Sequence, residues 1–163
     1  PAKQTISQPF IVALMLAVLK LKPHFNLLEI GTGSGYAAAV ASLLVRQVHT
    51  IERQEKLVPY AKTRLNQLGY ANIALHLGDG TLGWPAAAPY DAIVVAAGGP
   101  TVPASLRNQL AVNGRLIMPV GSQKKQKLHL VWRKADGRFG HKVLTPVRFV
   151  PLIGREGWED GER

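Results

Sequence analysis

Apolar residues along the chain fall into short β-rich runs separated by stretches with helical spacing. The runs Leu27–Ile30, Val48–Glu52, Ile73–Leu77 and Ala92–Ala96 are dominated by Leu, Ile, Val and Ala and bounded by polar or glycine-containing breaks, as strands are. Between them, Tyr36–Arg46 and Gln54–Leu68 carry apolar residues three and four apart. Leu57, Ala61 and Leu65 share one helical face, and Gly69 follows where that helix has to stop. Strands alternating with helices predict βαβ units and a mainly parallel sheet with helices on both faces, a doubly wound α/β architecture. After another helical stretch at Pro103–Leu110 the rhythm changes. Arg115–Val120, Lys127–Arg133 and Val143–Val150 are strand-like and joined by short turn-rich loops, which predicts an antiparallel C-terminal edge. Ahead of the first strand, Pro9 suits the first position of a helix running to about Leu21, with Gln8 or Ser7 to cap it and Pro23 to end it. Residues 156–163 are polar and aperiodic and are expected to fray.

A length of 163 residues with 47% hydrophobic content supports one core, so residues 1–163 are expected to form a single domain. Cysteine is absent, which removes disulfides, thiolate catalysis and cysteine metal sites and fits a reducing, cytoplasmic location. The apolar run Phe10–Leu19 has half the length that a membrane-spanning helix needs, and Lys20 and Lys22 follow it, so neither a membrane partner nor a signal peptide is expected. The net charge of +10 is concentrated after residue 100, where 12 Lys and Arg face 5 Asp and Glu. A basic surface of this kind attracts nucleic acid, but the densest cluster, Lys124, Lys125 and Lys127, lies beside Gly121 and Ser122 and has no interleaved aromatics. It reads as a solvated hairpin loop, and no nucleic-acid partner is expected. His24, His49, His76, His129 and His141 show no metal-ligand spacing, so no metal is expected, and the three tryptophans read as packing groups.

The candidate chemistry sits in Leu28-Glu29-Ile30-Gly31-Thr32-Gly33-Ser34-Gly35-Tyr36, where the first strand must turn tightly into the next helix. Glycine tolerates positive φ and lets a ligand approach the backbone, so the turn can present amides to a cofactor at the carboxyl end of the sheet. Glu52 closes the second strand, twenty-one residues after Gly31, where a carboxylate can accept hydrogen bonds from both ribose hydroxyls of an adenosine. The glycines alone do not decide the cofactor, because Gly33, Gly35 and Ala38 also satisfy the dinucleotide fingerprint. Glu29 argues against a pyrophosphate, which it would repel, and for the amino group of a methionine moiety. Gly78-Asp79-Gly80 after the third strand offers an acid to the adenine edge, although an ordinary Asp-Gly turn explains the same residues.

Beyond that turn, the blocks Gln4-Thr5-Ile6-Ser7-Gln8-Pro9, Leu68-Gly69-Tyr70, Ala88-Pro89-Tyr90-Asp91, Pro119-Val120-Gly121 and Phe149-Val150-Pro151-Leu152 resemble those of the protein-L-isoaspartate O-methyltransferases from about Gln4 to Gly154. The resemblance implies a Rossmann-like methyltransferase fold and S-adenosylmethionine as cofactor, leaving S-adenosylhomocysteine. It implies methyl transfer to the free carboxylate of L-isoaspartyl residues in damaged proteins and peptides, whose ester then collapses to a succinimide. It further implies that the segment at Gln4, Thr5, Ile6 and Ser7 closes over the cofactor, that Ser7 is the active-site residue, and that Gly31, Glu52, Asp79 and Gly80 bind the cofactor. Glu29, Thr32 and Gly33 join that set from the turn itself.

Two departures accompany the resemblance. Members normally carry a helical segment ahead of the block at Gln4, whereas this chain starts at Pro1, which carries the expectation of a fragment, a processed end or a shortened variant with impaired activity. Some relatives place a histidine soon after the serine, where this chain has Phe10, Ile11 and Val12, as the bacterial type does. A monomer is expected. Without the resemblance, Ser7 reads as a helix cap. A methyltransferase of the same fold acting on RNA or a small molecule, or an inactive module, also satisfies the residues.

Overall fold

A computed structural model of the chain describes residues 8–161. Seven strands, β1 (Asn26–Ile30), β2 (Gln47–Glu52), β3 (Ile73–Leu77), β4 (Tyr90–Val95), β5 (Leu110–Gly121), β6 (Gln126–Arg133) and β7 (Phe139–Val147), form one sheet in the order β3-β2-β1-β4-β5-β6-β7. The pairings among β1 to β5 are parallel, and β5–β6 and β6–β7 are antiparallel. This is the doubly wound, Rossmann-like α/β fold with an antiparallel C-terminal edge that the alternation of elements predicted. Among the described residues four helices accompany it: α1 (Pro9–Val18), α2 (Tyr36–Ser42), α3 (Leu57–Gln67) and α4 (Ala104–Asn108).

Strand parity sorts the core into two layers. Leu27, Val48, Ala92 and Ile117 point to the face covered by α1 and α2, where Val12, Met15, Leu16, Ala38 and Ala41 meet them. Their neighbours Leu28, Ile93 and Leu116 point to the opposite face, against Leu106 of α4. A strand buried on both faces cannot alternate polar with apolar, so β4 reads as a continuous apolar run from Ala92 to Val95 and β1 as an apolar run from Leu27 to Ile30 broken only by Glu29.

The helices are shorter than their periodicity suggested. In α1 the chain turns at Lys20, which takes φ 53° while its N–H bonds to the Ala17 carbonyl, so the helix closes well before Pro23. In α2 the Leu43 and Leu44 amides bond three residues back, to Val40 and Ala41, and the tightened turn swings Val45 into the core. The last strand lies earlier than the expected Val143–Val150, because Phe149 leaves the ladder to bond the Gln126 side chain, its N–H donating to Oε1 at 2.8 Å.

Two short 3-10 turns, Gly80–Leu82 and Pro85–Ala87, replace a crossover helix between β3 and β4. Buried Gln109 ties them down: its Oε1 accepts from Trp84 N at 2.9 Å and its Nε2 donates to the Leu82 carbonyl at 2.8 Å.

The expected fraying from Glu156 onward is corrected by the structure as far as Gly161. The Glu156 carboxylate accepts from the backbone N–H and hydroxyl of Ser105, Trp158 Nε1 donates to the Gly98 carbonyl at 3.0 Å, and Arg53 pairs with Asp160 at 2.8 Å. Polar residues without periodicity are held here by specific partners that no sequence pattern announces.

Replacing Gln109 with Ala strands the Trp84 N–H and the Leu82 carbonyl. The expected loss is about 2–4 kcal/mol of unfolding free energy by urea titration.

Candidate functional site

Reversal of strand order between β1 and β4 opens a crevice at the carboxyl ends of the parallel strands, the usual ligand position in open α/β sheets. A cavity of about 1040 Å³ occupies it, at the upper end of the range for small-molecule sites, about 300–1,000 Å³. Its floor is the run Glu29–Ser34 with Ile51–Gln54 from the end of β2. Val12, Met15 and Leu16 of α1 form one wall, and Phe149–Ile153 form another.

The polar centre follows from β1–β2 register. Glu29 is paired with Thr50, so both point to the α1 face, as does Glu52 two residues on. Thr50 donates its hydroxyl hydrogen to Glu29 Oε2 at 2.7 Å, and its oxygen lies 2.7 Å from the Thr32 hydroxyl. Glu29 is 1% exposed, and its second oxygen, Oε1, is buried with no partner. Burial pushes the Glu29 carboxyl up to about 8, the Thr50 bond pulls it down less strongly, and the Glu52 charge adds a smaller upward push.

Glu52 is held differently. Oε2 accepts from Gly33 N at 3.0 Å and Oε1 from Gln54 N at 2.9 Å. A carboxylate has about four acceptor positions, so each oxygen keeps capacity for one more donor, a match for two adjacent hydroxyls. The orphaned Oε1 of Glu29 suits a cationic amine in the same way. The donor set therefore fits a nucleoside bearing an amino-acid tail.

Glu29, Gly31, Thr32, Gly33, Glu52 and Gly80 are brought together around the cavity. Gly31 and Gly33 take φ of 93° and 52°, the left-handed region that glycine enters freely. The turn does not offer its amides as expected: Gly31 and Thr32 donate to the Ile51 carbonyl and Gly33 donates to Glu52. What the glycines supply is a floor without side chains.

Asp79 is turned away from the cavity that its neighbour Gly80 lines. Its Oδ1 accepts from the N–H and hydroxyl of Thr81, and its Oδ2 accepts from Arg155 N at 2.8 Å, so it caps a 3-10 turn and staples the C-terminal segment. Gln4, Thr5, Ile6 and Ser7 lie outside the described residues.

Sequence reasoning missed Thr50, the partner of Glu29, and also the α1 wall, Phe149–Ile153, Gln123 and Lys124, which line the cavity. The lysine cluster does sit on a hairpin, with Ser122 Oγ accepting from Lys125 N at 3.0 Å, but one of its members reaches the cavity as well. A polar residue inside the apolar strand Val48–Glu52 was the available signal for Thr50. Among the described residues no group of three His, Asp or Glu is placed to hold a metal. Four of the five histidines nonetheless pair, His49 with His76 and His129 with His141.

The family profile described as protein-L-isoaspartate(D-aspartate) O-methyltransferase matches residues 1–157. The chain belongs to that family. A protein-L-isoaspartate O-methyltransferase of Rhodopseudomonas palustris is 54% identical over 162 residues, covering 99% of this chain and 74% of the relative. One from Protochlamydia amoebophila is 50% identical, covering 96% and 75%. Among solved structures, a protein-L-isoaspartate O-methyltransferase superposes with a TM-score of 0.87 at 32% identity, covering 96% of this chain and 51% of its own. The chain thus spans about half the length of that solved relative and about three quarters of the other two. A Plasmodium falciparum beta-aspartate methyltransferase, solved in complex with S-adenosyl-L-homocysteine, gives a TM-score of 0.78 at 27% identity, covering 94% and 78%. The isoaspartate methyltransferases are S-adenosylmethionine-dependent, in keeping with the donor set around the cavity.

Folded Glu29 keeps its proton up to about pH 8, whereas the unfolded chain releases it near 4.5. Between these values the unfolded state binds fewer protons, so this residue makes stability fall as pH rises. Glu29→Gln is expected to remove that slope: in urea titrations from pH 5 to 8 the ligand-free variant gains on the parent by up to about 1 kcal/mol per pH unit.

Proposed function

We propose that the chain transfers a methyl group from S-adenosylmethionine to the free α-carboxylate of L-isoaspartyl residues in damaged proteins and peptides, beginning their repair through a succinimide. The observation that carries this reading is the pair Glu29 and Glu52 at adjacent strand ends of one cavity, in a chain that matches the isoaspartate family along nearly its whole length.

Glu52 would accept from the two ribose hydroxyls with its spare lone pairs, and Glu29 Oε1 would receive the amine of the methionine tail. Gly31, Gly33 and Gly80 would let the cofactor lie close to the backbone, Thr32 would support Glu29 through Thr50, and Asp79 would fix the turn that presents Gly80. Gln4, Thr5 and Ile6 would close over the cofactor. When bound, S-adenosylmethionine supplies an electrophilic methyl group on a sulfonium, and S-adenosylhomocysteine leaves.

What remains for the protein is placement. The acceptor carboxylate, with a reference pKa near about 4, is ionised at neutral pH and needs no base. Ser7 would donate one hydrogen bond to that carboxylate and turn an oxygen toward the methyl carbon, in line with sulfur. Val12, Met15 and Leu16 with Pro151 and Leu152 would keep water from competing. Alignment of this kind is worth several kcal/mol of the barrier, and about 7–11 kcal/mol in the best intramolecular systems. The same reading has a monomer working in the cytoplasm on protein and peptide substrates, without nucleic acid. In the described residues no helix is long and apolar enough to cross a membrane.

A peptide carrying one L-isoaspartyl residue is expected to accept labelled methyl from S-adenosylmethionine, while its aspartyl twin accepts none; equal labelling would defeat the assignment. Glu52→Ala should weaken S-adenosylhomocysteine binding by about 10–100-fold, the loss of charge-assisted bonds of about 1.5–3 kcal/mol. Ser7→Ala should lower turnover at least tenfold while leaving that affinity within about twofold.

A further inference from the structure

Among the described residues, Glu29 is the one acid in the cavity wall left half-satisfied. Glu52 receives two backbone N–H groups. Glu29 receives a single hydroxyl bond on Oε2, and Oε1 is buried without a partner. Among the described residues no cation compensates it. Among the charged groups that line the cavity, Arg53 is engaged by Asp160, Arg64 donates to the Tyr60 hydroxyl, Lys124 is exposed on the β5–β6 hairpin, and Glu52 is of like charge. From the other elements packed around it come only neutral groups, Val12, Met15 and Leu16 of α1, Val94 of β4, and Thr50 and Thr32. A bare carboxylate in such a place is costly, and the usual response is to take up a proton.

The hydroxyls at its side tolerate either state. A threonine hydroxyl both donates and accepts, so Thr50 can donate to an ionised Glu29 or accept from a neutral one. Thr32 then supplies the complementary partner from within the glycine turn. The acid can therefore change its charge without a rearrangement of the strands.

We propose that Glu29 is neutral in the ligand-free protein and gives up its proton when the cationic methionine end of the cofactor arrives, so that cofactor binding releases about one proton, with Thr50 as the positioning residue that tunes the exchange. The inference rests on the assignment of this cavity to S-adenosylmethionine. Burial holds the carboxyl at about 8, which leaves about nine-tenths of the molecules protonated at pH 7. An ammonium facing Oε1 stabilises the ionised form and pulls that value down. The proton leaves to solvent as the ion pair forms, and the total charge inside the cavity stays close to that of the empty site. A cation is thus admitted to a buried pocket without the repulsion of two ionised carboxylates having been stored there beforehand.

The test is titration calorimetry of the whole chain with S-adenosylhomocysteine at pH 7 in phosphate and in Tris, buffers that take up a proton with very different heats. The expected result is a difference in observed enthalpy equivalent to about 0.9 proton released, and affinity that rises by up to tenfold per pH unit as pH approaches 8. 5′-Methylthioadenosine, which keeps the adenosine and lacks the amine, should bind with equal heats in the two buffers. Glu29→Gln should bind S-adenosylhomocysteine more weakly and with no buffer dependence. Thr50→Val, which removes the bond that favours the ionised form, should move the pH midpoint of affinity upward, while Thr50→Ser restores it. Tight binding with equal heats in both buffers and no pH dependence overturns the proton exchange and leaves the cofactor assignment standing. Absence of any S-adenosylhomocysteine binding overturns the assignment itself, and the exchange with it.

Discussion

The one-to-one register between β1 and β2 is the constraint on which the site depends. With Glu29 opposite Thr50, period-two geometry sends Glu29, Thr50 and Glu52 to the same face of the sheet, under α1 and beside the glycine turn. A slip of one residue would send Ile51 to that face and turn Glu52 into the opposite core. Register is strongly specified because that slip would bury the Glu52 carboxylate among apolar side chains: Leu27 and Val48 belong to one layer, Leu28 and Ile51 to the other. The packing that makes β1 and β2 stable also aims the chemistry.

Much of this was legible in the residues. Four parallel strands and the antiparallel edge followed from apolar runs and turn residues, and the glycine turn with Glu52 marked the cavity. Element ends were not legible. Whether α1 stops at Val18 or Leu21 is decided by the backbone at Lys20, and where β7 stops is decided by a long-range bond between Phe149 and Gln126. Local patterns contain neither fact.

Asp79 shows the same limit in the site. As an acid in a Gly-Asp-Gly turn it was read, together with Glu29 and Glu52, as a ligand contact over an ordinary turn, and the partner of its Oδ2, the Arg155 N–H, lies seventy-six residues away. Thr50 went unnoticed for a related reason. A lone threonine in a strand is ordinary, and it gains meaning only when cross-strand pairing sets its hydroxyl between Glu29 and Thr32. Contacts between residues far apart in sequence carry most of what the motif could not.

The wall formed by Phe149–Ile153, with its anchors at Gly98, Ser105 and Arg53, has a consequence for biosynthesis. Domains gain their native contacts as the chain emerges from the ribosome, N-terminal parts first. A nascent polypeptide that has exposed the whole sheet through β7 still lacks one side of the cavity, which is complete only once Phe149–Ile153 have emerged. On that order of events the early sheet reaches its native pairing through its own ladder and apolar burial, ahead of any help from the ligand.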